Sequence, residues 1–258
     1  MLKKVVIGIA VLVILGGAAL FVLDRTLFAP TAVSSALPVA PTIAAPLPAA
    51  PTVSAPTPQA TSATPAQPAA TVAVTAASGA TLYHLDATQS EAHYEVSETF
   101  FQGNRLNLAV GRTKAVAGDI LIDLTNPAKS QLGNIVIDIS QLKSDESRRD
   151  NFIRNNGLES AKYPQATFKT TSVDGLPAQI KPGDTVTFTL TGDLTVKQTT
   201  KPVTWQVTAK LDNNSLSGTA IAQIKLSDFG VGPIQIAMLA TEDNAKLVFD
   251  FVATAAQN

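Results

Sequence analysis

Between residues 92 and 253 apolar and polar residues alternate one by one through run after run, and no other feature restricts the fold as much. A period of two puts successive side chains on opposite faces of a strand, whereas one face of a helix needs spacings of three and four. Ala92, Tyr94 and Val96 face one way, His93 and Glu95 the other. Ile120, Ile122 and Leu124 alternate with Leu121 and Asp123, and Ile135, Ile137 and Ile139 with Val136 and Asp138. Val186, Phe188, Leu190, Gly192, Leu194 and Val196 share a face, as do Val203, Trp205, Val207, Ala209 and Leu211. Two further runs cover Leu216 to Leu226 and Leu247 to Ala253. Turn signals separate them at Asn126-Pro127, Val173 to Leu176, Lys181 to Asp184 and Asp212 to Ser215. Seven to nine antiparallel strands, apolar on one side only, make a sandwich or a closed barrel.

One segment breaks the period. Ser144 is placed to N-cap a short helix, Asp145 and Glu146 suit its positive end, and Gly157 is suited to end it in the left-handed conformation. Such a helix could lid one end of a barrel.

The strands begin only after two unlike stretches. Val5 to Leu23 carries no charge and no proline. As a helix it would be about 28 Å long, close to the ~30 Å hydrocarbon core of a bilayer. Lys3 and Lys4 before it favour a cytoplasmic N-terminus. A cleaved signal peptide is the rival, but Asp24, Arg25, Leu27 and Phe28 stand where small residues would be wanted. Residues 1–28 are therefore expected to be an uncleaved anchor, and a lipoprotein is excluded because the chain has no cysteine. From Ala29 to Ala80 there is no charge, and ten of the sixteen prolines fall here among Ala, Thr, Val and Ser. Proline removes donors and alanine offers little area to bury, so residues 29–80 read as a linker leaning to polyproline II. It is either a stalk holding the domain away from the membrane or inert low complexity. Residues 81–258 form the folded domain, expected on the outer side of a cytoplasmic membrane crossed once.

Composition now excludes several functions. Zero Cys removes disulfides, thiolate nucleophiles and Cys-ligated metals, and a net charge of −1 with no basic run argues against a nucleic-acid binder. His84 and His93 lie too far apart in the pattern to suggest a metal site, with His93 expected outward. No Gly-x-Ser-x-Gly elbow, His-Glu-x-x-His pair or phosphate-cradling loop occurs, so no catalytic residue, metal or cofactor is assigned. Asp228-Phe-Gly230 lacks the strand and loop that would make it a kinase tripeptide, and reads as a strand terminus or bulge. Tyr94, Phe168, Phe188, Trp205, Phe249 and Phe251 are expected to face inward and to line any ligand site. An eight-stranded barrel is near the size at which the interior is either filled or holds one ligand. Gly192, Ala209, Gly218, Ala220 and Ala222 on the inner face tilt it towards a cavity. Arg148, Arg149 and Asp150 are candidates for a lipid head group at the rim, since guanidinium forks suit diphosphates and carboxylates. Alternatively Arg149 and Asp150 pin the helix to the barrel, with Arg148 solvated.

Several segments in order resemble the YceI-like domain, a bacterial lipid- or polyisoprenoid-binding family. They are Tyr83 to Asp86, Ser90 to Val96, Val116 to Ile120, Asn134 to Ser140 and Ser147-Arg-Arg-Asp150. They continue with Lys162 to Phe168, Thr191 to Val196, Lys201-Pro202 and Ser227 to Val231. The resemblance implies an eight-stranded, lipocalin-like antiparallel barrel around an apolar tunnel for an isoprenoid chain. It departs at Glu98 to Gly103 and at the long segment Asn104 to Val116, which carries Gly111 and three basic residues. The expected function is a membrane-tethered extracytoplasmic carrier of an isoprenoid-like lipid. The alternative is a cell-surface interaction module with a filled, ligand-free barrel. An enzyme acting on a bound lipid would need a carboxylate or histidine projecting into the cavity.

Overall fold

The computed structural model describes residues 36–42, 80–212 and 214–256. The expected anchor, residues 1–28, and most of the linker lie outside the described residues. Among those described, no helix is long and apolar enough to cross a membrane.

Twelve strands form one strongly curled antiparallel sheet. They are β1 (Ala80–Leu85), β2 (Glu91–Phe100), β3 (Arg105–Thr113), β4 (Val116–Ala117), β5 (Asp119–Asp123), β6 (Gln131–Leu132) and β7 (Ile135–Asp138). After a short helix, α1 (Ser147–Phe152), come β8 (Gln165–Asp174), β9 (Thr185–Val196), β10 (Thr199–Leu211), β11 (Ser215–Lys225) and β12 (Leu239–Ala255). The spatial order is β4-β7-β8-β9-β10-β11-β12-β1-β5-β6, with β2 paired to both β12 and β3.

The strands outnumber the expectation because long runs are broken. Asp86 ends β1 by accepting hydrogen bonds from the Thr88 backbone and hydroxyl and from Gln89, and β2 resumes along the same partner. At 17 residues β12 takes β2 along its first part and β1 along its last. The run 116–123 is interrupted at Gly118, where a Cβ would strike Ile135. Before the break it pairs with β7, after it with β1, and so it touches strands from both ends of the ordered sheet. β12 also begins earlier than the apolar run suggested, across a bulge between Thr241 and Ala245.

The inner face follows the alternation. Leu190, Leu194, Val203, Trp205, Val207, Ala209 and Phe251 are buried in one cluster. On the outer face threonines pair across strands, Thr191 with Thr204 at 3.2 Å and Thr195 with Thr200 at 2.8 Å. Such pairs contribute about 0.2–1 kcal/mol each, so burial dominates.

The helix is capped differently from expectation. Glu146 is the N-cap, its carboxylate accepting from the Arg148 N–H at 3.0 Å. Ser144 instead donates its backbone N–H and its hydroxyl to Asp150. After Phe152 the chain widens into a π-helical turn over Ile153–Gly157. The left-handed residue is Glu159 (φ 50°) rather than Gly157. Within the expected linker, residues 36–42 lie on the outer wall of the sheet. Pro38 is buried, Leu37 sits in a shallow groove with Thr88, Arg112 and Lys114, and the Gln141 amide donates to the Ala36 carbonyl at 3.1 Å.

Candidate functional site: a two-chambered interior

The curled sheet encloses two cavities, one of about 630 Å³ and one of about 160 Å³. Ile137, Ala166, Leu194 and Phe249 line both and form the waist between them.

The smaller chamber is almost wholly apolar and is built by strands. Phe168, Phe188, Trp205 and Phe251 line it, with Leu190, Val207 and Leu216. Phe168 meets Trp205 edge to face, with ring centroids 5.9 Å apart, and Phe251 lies 5.8 Å from Phe249. Two inward glycines expected to open the cavity serve these rings. A Cβ on Gly192 would strike the Phe168 ring and one on Gly218 the Phe251 ring, so the absent side chains let the aromatics lie against the wall. Trp205 Nε1 is buried without a hydrogen-bond partner.

The larger chamber is built only partly by strands. β2 and β3 contribute Tyr94, Val96, Glu98, Asn107 and Ala109. α1 adds Arg148, Arg149 and Phe152, and the segment after β11 adds Phe229, Ile234, Ile236 and Met238. Asp228-Phe-Gly230 is therefore neither strand terminus nor bulge. Ser227–Phe229 forms a 3₁₀ turn closed by left-handed Gly230, and it drives Phe229 into the chamber. Tyr94 lies over Gly111, where any Cβ would collide with its ring. Burial, reinforced by the Asp150 carboxylate, pushes its phenol far above the ordinary value, so its hydroxyl stays protonated.

One buried carboxylate projects into this chamber, against expectation. The β2 alternation continues past Val96, and Glu98, 2% exposed, faces inward. It accepts from Arg149 Nη2 and from the Asn107 amide, both at 2.7 Å. Arg149 also donates to Asp145 Oδ1 and to the Ser144 hydroxyl. Desolvation alone would lower the Arg149 pKa, but the hydrogen bonds to Glu98 and Asp145 outweigh it and the value rises. The same contact holds the Asp145 carboxyl below its usual range.

The rim triplet therefore divides. Arg149 ties the segment before α1 to β2, and Asp150 holds Ser144 and lines neither chamber, which makes both of them fasteners. Arg148 lines the larger chamber. A diphosphate would have to compete for a guanidinium already engaged by two carboxylates. The charged lining is itself balanced, with Glu98, Asp145 and Glu146 against Arg105, Arg148 and Arg149. His84 pairs with Asp119 at 2.6 Å. His93, expected outward as an ordinary polar strand residue, is only 9% exposed, 3.4 Å from Glu95 and at the edge of the larger chamber. Among the described residues no three His, Asp or Glu side chains converge as a metal site.

Sequence reasoning missed Glu98, Asn107, Arg105 and the 226–239 segment. Carrying the alternation two residues beyond Val96 would have found Glu98. The six aromatics expected inward all line a chamber, Tyr94 the larger, Phe249 both and the remaining four the smaller.

The family model for the YceI-like domain matches residues 83–253. Protein YceI of Escherichia coli O157:H7 is 35% identical over 130 residues, 47% of this chain and 62% of that protein. A UPF0312 protein of Vibrio parahaemolyticus is 37% identical over 95 residues, 36% of this chain and 46% of that one. The chain thus spans less than two thirds of the length of these curated relatives. Among solved structures, BcnA of Burkholderia cenocepacia superposes with a TM-score of 0.51 at 23% identity, over 66% of this chain and 99% of that one. A polyisoprenoid binding domain from Saccharophagus degradans, implicated in plant cell wall breakdown, gives 0.50 at 16% identity, over 67% and 98%. At these identities the likeness is one of fold.

Proposed function

This chain belongs to the YceI-like domain family, and we propose that it is a binding protein that carries an isoprenoid-like lipid in its two-chambered interior. The observation that carries the reading is the pairing of a ~630 Å³ chamber with an apolar ~160 Å³ one across a four-residue waist. A dry cavity of about 150 Å³ takes up one benzene, or about 25 Å³ per carbon. On that scale the larger chamber accepts about 25 carbons and the smaller about six. Each buried five-carbon unit contributes roughly 3–4 kcal/mol gross, against an association cost of about 4–15 kcal/mol. Several units therefore bind without any ionic contact. The balanced rim favours an uncharged polar head group over a diphosphate. Glu98 is committed to Arg149 and Asn107, which favours binding over catalysis, and the cavity volume favours a carrier over a filled scaffold.

Several finer assignments belong to the same proposal. Joining β1 with β2 and β3 with β4 and β5 as single bent strands gives the eight-stranded, closed, lipocalin-like barrel, with β7 to β12 completing it and the short β6 appended. The chain is held to the cytoplasmic membrane through Val5 to Leu23, with the barrel on the periplasmic or cell-surface side. The apolar length of that segment and the lysines before it support this. Native mass spectrometry of the full chain, followed by organic extraction, should release a long apolar molecule. No ligand and no uptake of prenyl probes would overturn the reading.

A further inference from the structure

We infer that the tip of the β2–β3 hairpin is a membrane-docking surface, through which the larger chamber meets a lipid bilayer. This rests on the carrier reading and adds where the cargo enters. Seven large apolar side chains are exposed among the described residues, and four gather here: Phe101 (50% exposed), Leu106 (77%), Leu108 (53%) and Met238. The Phe101 N–H donates to the Met238 carbonyl at 3.0 Å, so the hairpin tip and the segment before β12 form one surface.

The hairpin has two faces. On β3, Arg105, Asn107 and Ala109 point to the chamber while Leu106 and Leu108 point away from it, as period two requires. Among the described residues β3 pairs with no strand but β2, apart from a single bridge at Arg112, so the arm is a sheet edge with an apolar outer surface. Edges of this kind are normally blunted by charge, proline or cover. Between Thr99 and Leu108 the sole charge is Arg105, whose guanidinium lies 4.9 Å over the Phe100 ring. Exposed apolar side chains beside one cation suit the bilayer interface, where a long basic side chain keeps its head among the phosphates, and the exposed Asp145 of the chamber lining is already paired with Arg149.

Continuity with the cavity selects a lipid surface over a protein. Phe100, Arg105 and Met238 belong both to this tip and to the chamber lining. A prenyl chain passing between them goes from hydrocarbon to cavity without crossing water.

The full chain is naturally free of cysteine, so single labels are unambiguous. Leu106→Cys and, as a control at the smaller-chamber end of β10, Lys210→Cys are labelled with an environment-sensitive fluorophore. Each is reconstituted in phosphatidylcholine–phosphatidylglycerol vesicles containing spin-labelled lipid. The label at 106 should shift to the blue and be quenched several-fold, while that at 210 is unchanged. Equal behaviour at the two sites overturns the proposal. Shielding at 106 that rises with protein concentration in detergent, without lipid quenching, would overturn it in favour of self-association. In the double variant Leu106→Asp, Leu108→Asp, uptake of a fluorescent prenyl alcohol from vesicles should fall at least tenfold, with loading from detergent unchanged. Unchanged uptake from vesicles also overturns it. If the unmodified chain loads from neither source the carrier reading fails, while the quenching result still decides whether the tip docks.

Discussion

The two chambers share a barrel and four lining residues, yet they are made in different ways. The smaller is walled mainly by strands whose inward residues follow the alternation, and its aromatics pack against one another over glycines. The larger is closed by a six-residue helix, a 3₁₀ turn and a hairpin, and it carries six charged side chains in its lining. A strand wall is fixed by its neighbours' hydrogen bonds, so the smaller chamber has a set shape. The larger depends on a few fastenings, chief among them Arg149 between Glu98 and Asp145. One end is therefore shaped by side-chain packing, the other by a few polar fastenings.

That contrast can be broken most forcefully from the strand side. Trp205→Ala should lower unfolding free energy by about 3–5 kcal/mol, the usual loss for a large buried aromatic, read as a reduced denaturant midpoint. Arg149→Met comes next, at about 3 kcal/mol, because it strands a buried Glu98 charge. The double variant Glu98→Leu, Arg149→Met should recover most of that loss in the same assay. If the double variant is as unstable as the single, Arg149 is more than a fastener.

At the waist, Leu194→Phe should lower affinity for prenyl probes that reach the smaller chamber by about tenfold, or 1.4 kcal/mol. Probes short enough to stay in the larger chamber should bind unchanged in a fluorescence titration. The smallest effect is acid sensitivity. Arg149 holds Asp145 below its ordinary value, and side-chain and backbone donors do the same for Asp86, Asp123 and Asp243. Carboxyls depressed in the folded state contribute fully above the unfolded value, about pH 4, and lose that contribution as pH falls through the folded values. The denaturant midpoint should be flat from pH 7 to 5 and drop below pH 4.

How much was readable follows the same division. Phe168, Phe188, Trp205 and Phe251 were legible because burial on one face of a strand leaves a period-two trace. The pairing of Arg149 with Asp145 was not read, because Asp145 was assigned only to the positive end of the helix. β3 was not, because Arg105, Asn107, Gly111 and Arg112 on a half-exposed edge look like a basic loop. Glu98 was hidden because a buried carboxylate reads as polar until its partner, 51 residues away, is known. Gly192 and Gly218 were read as space when they seat rings, a difference that depends on which aromatic lies on the facing strand. Phe229 owes its inward position to left-handed Gly230, which period-two reasoning does not register.

The seat of residues 36–42 on the barrel wall changes what the proline-rich stretch measures. Their groove lies beside Glu91, at the base of the hairpin, about 30 Å from its tip for a ten-residue strand. Were Val5 to Leu23 to lie in the bilayer, as proposed, residues 24–35 at full stretch would reach about 37 Å. That leash would let the tip touch the membrane and the barrel rise only slightly off it. The height of the barrel would then depend on residues 24–35, and insertions or deletions within 43–79 would leave it where it is.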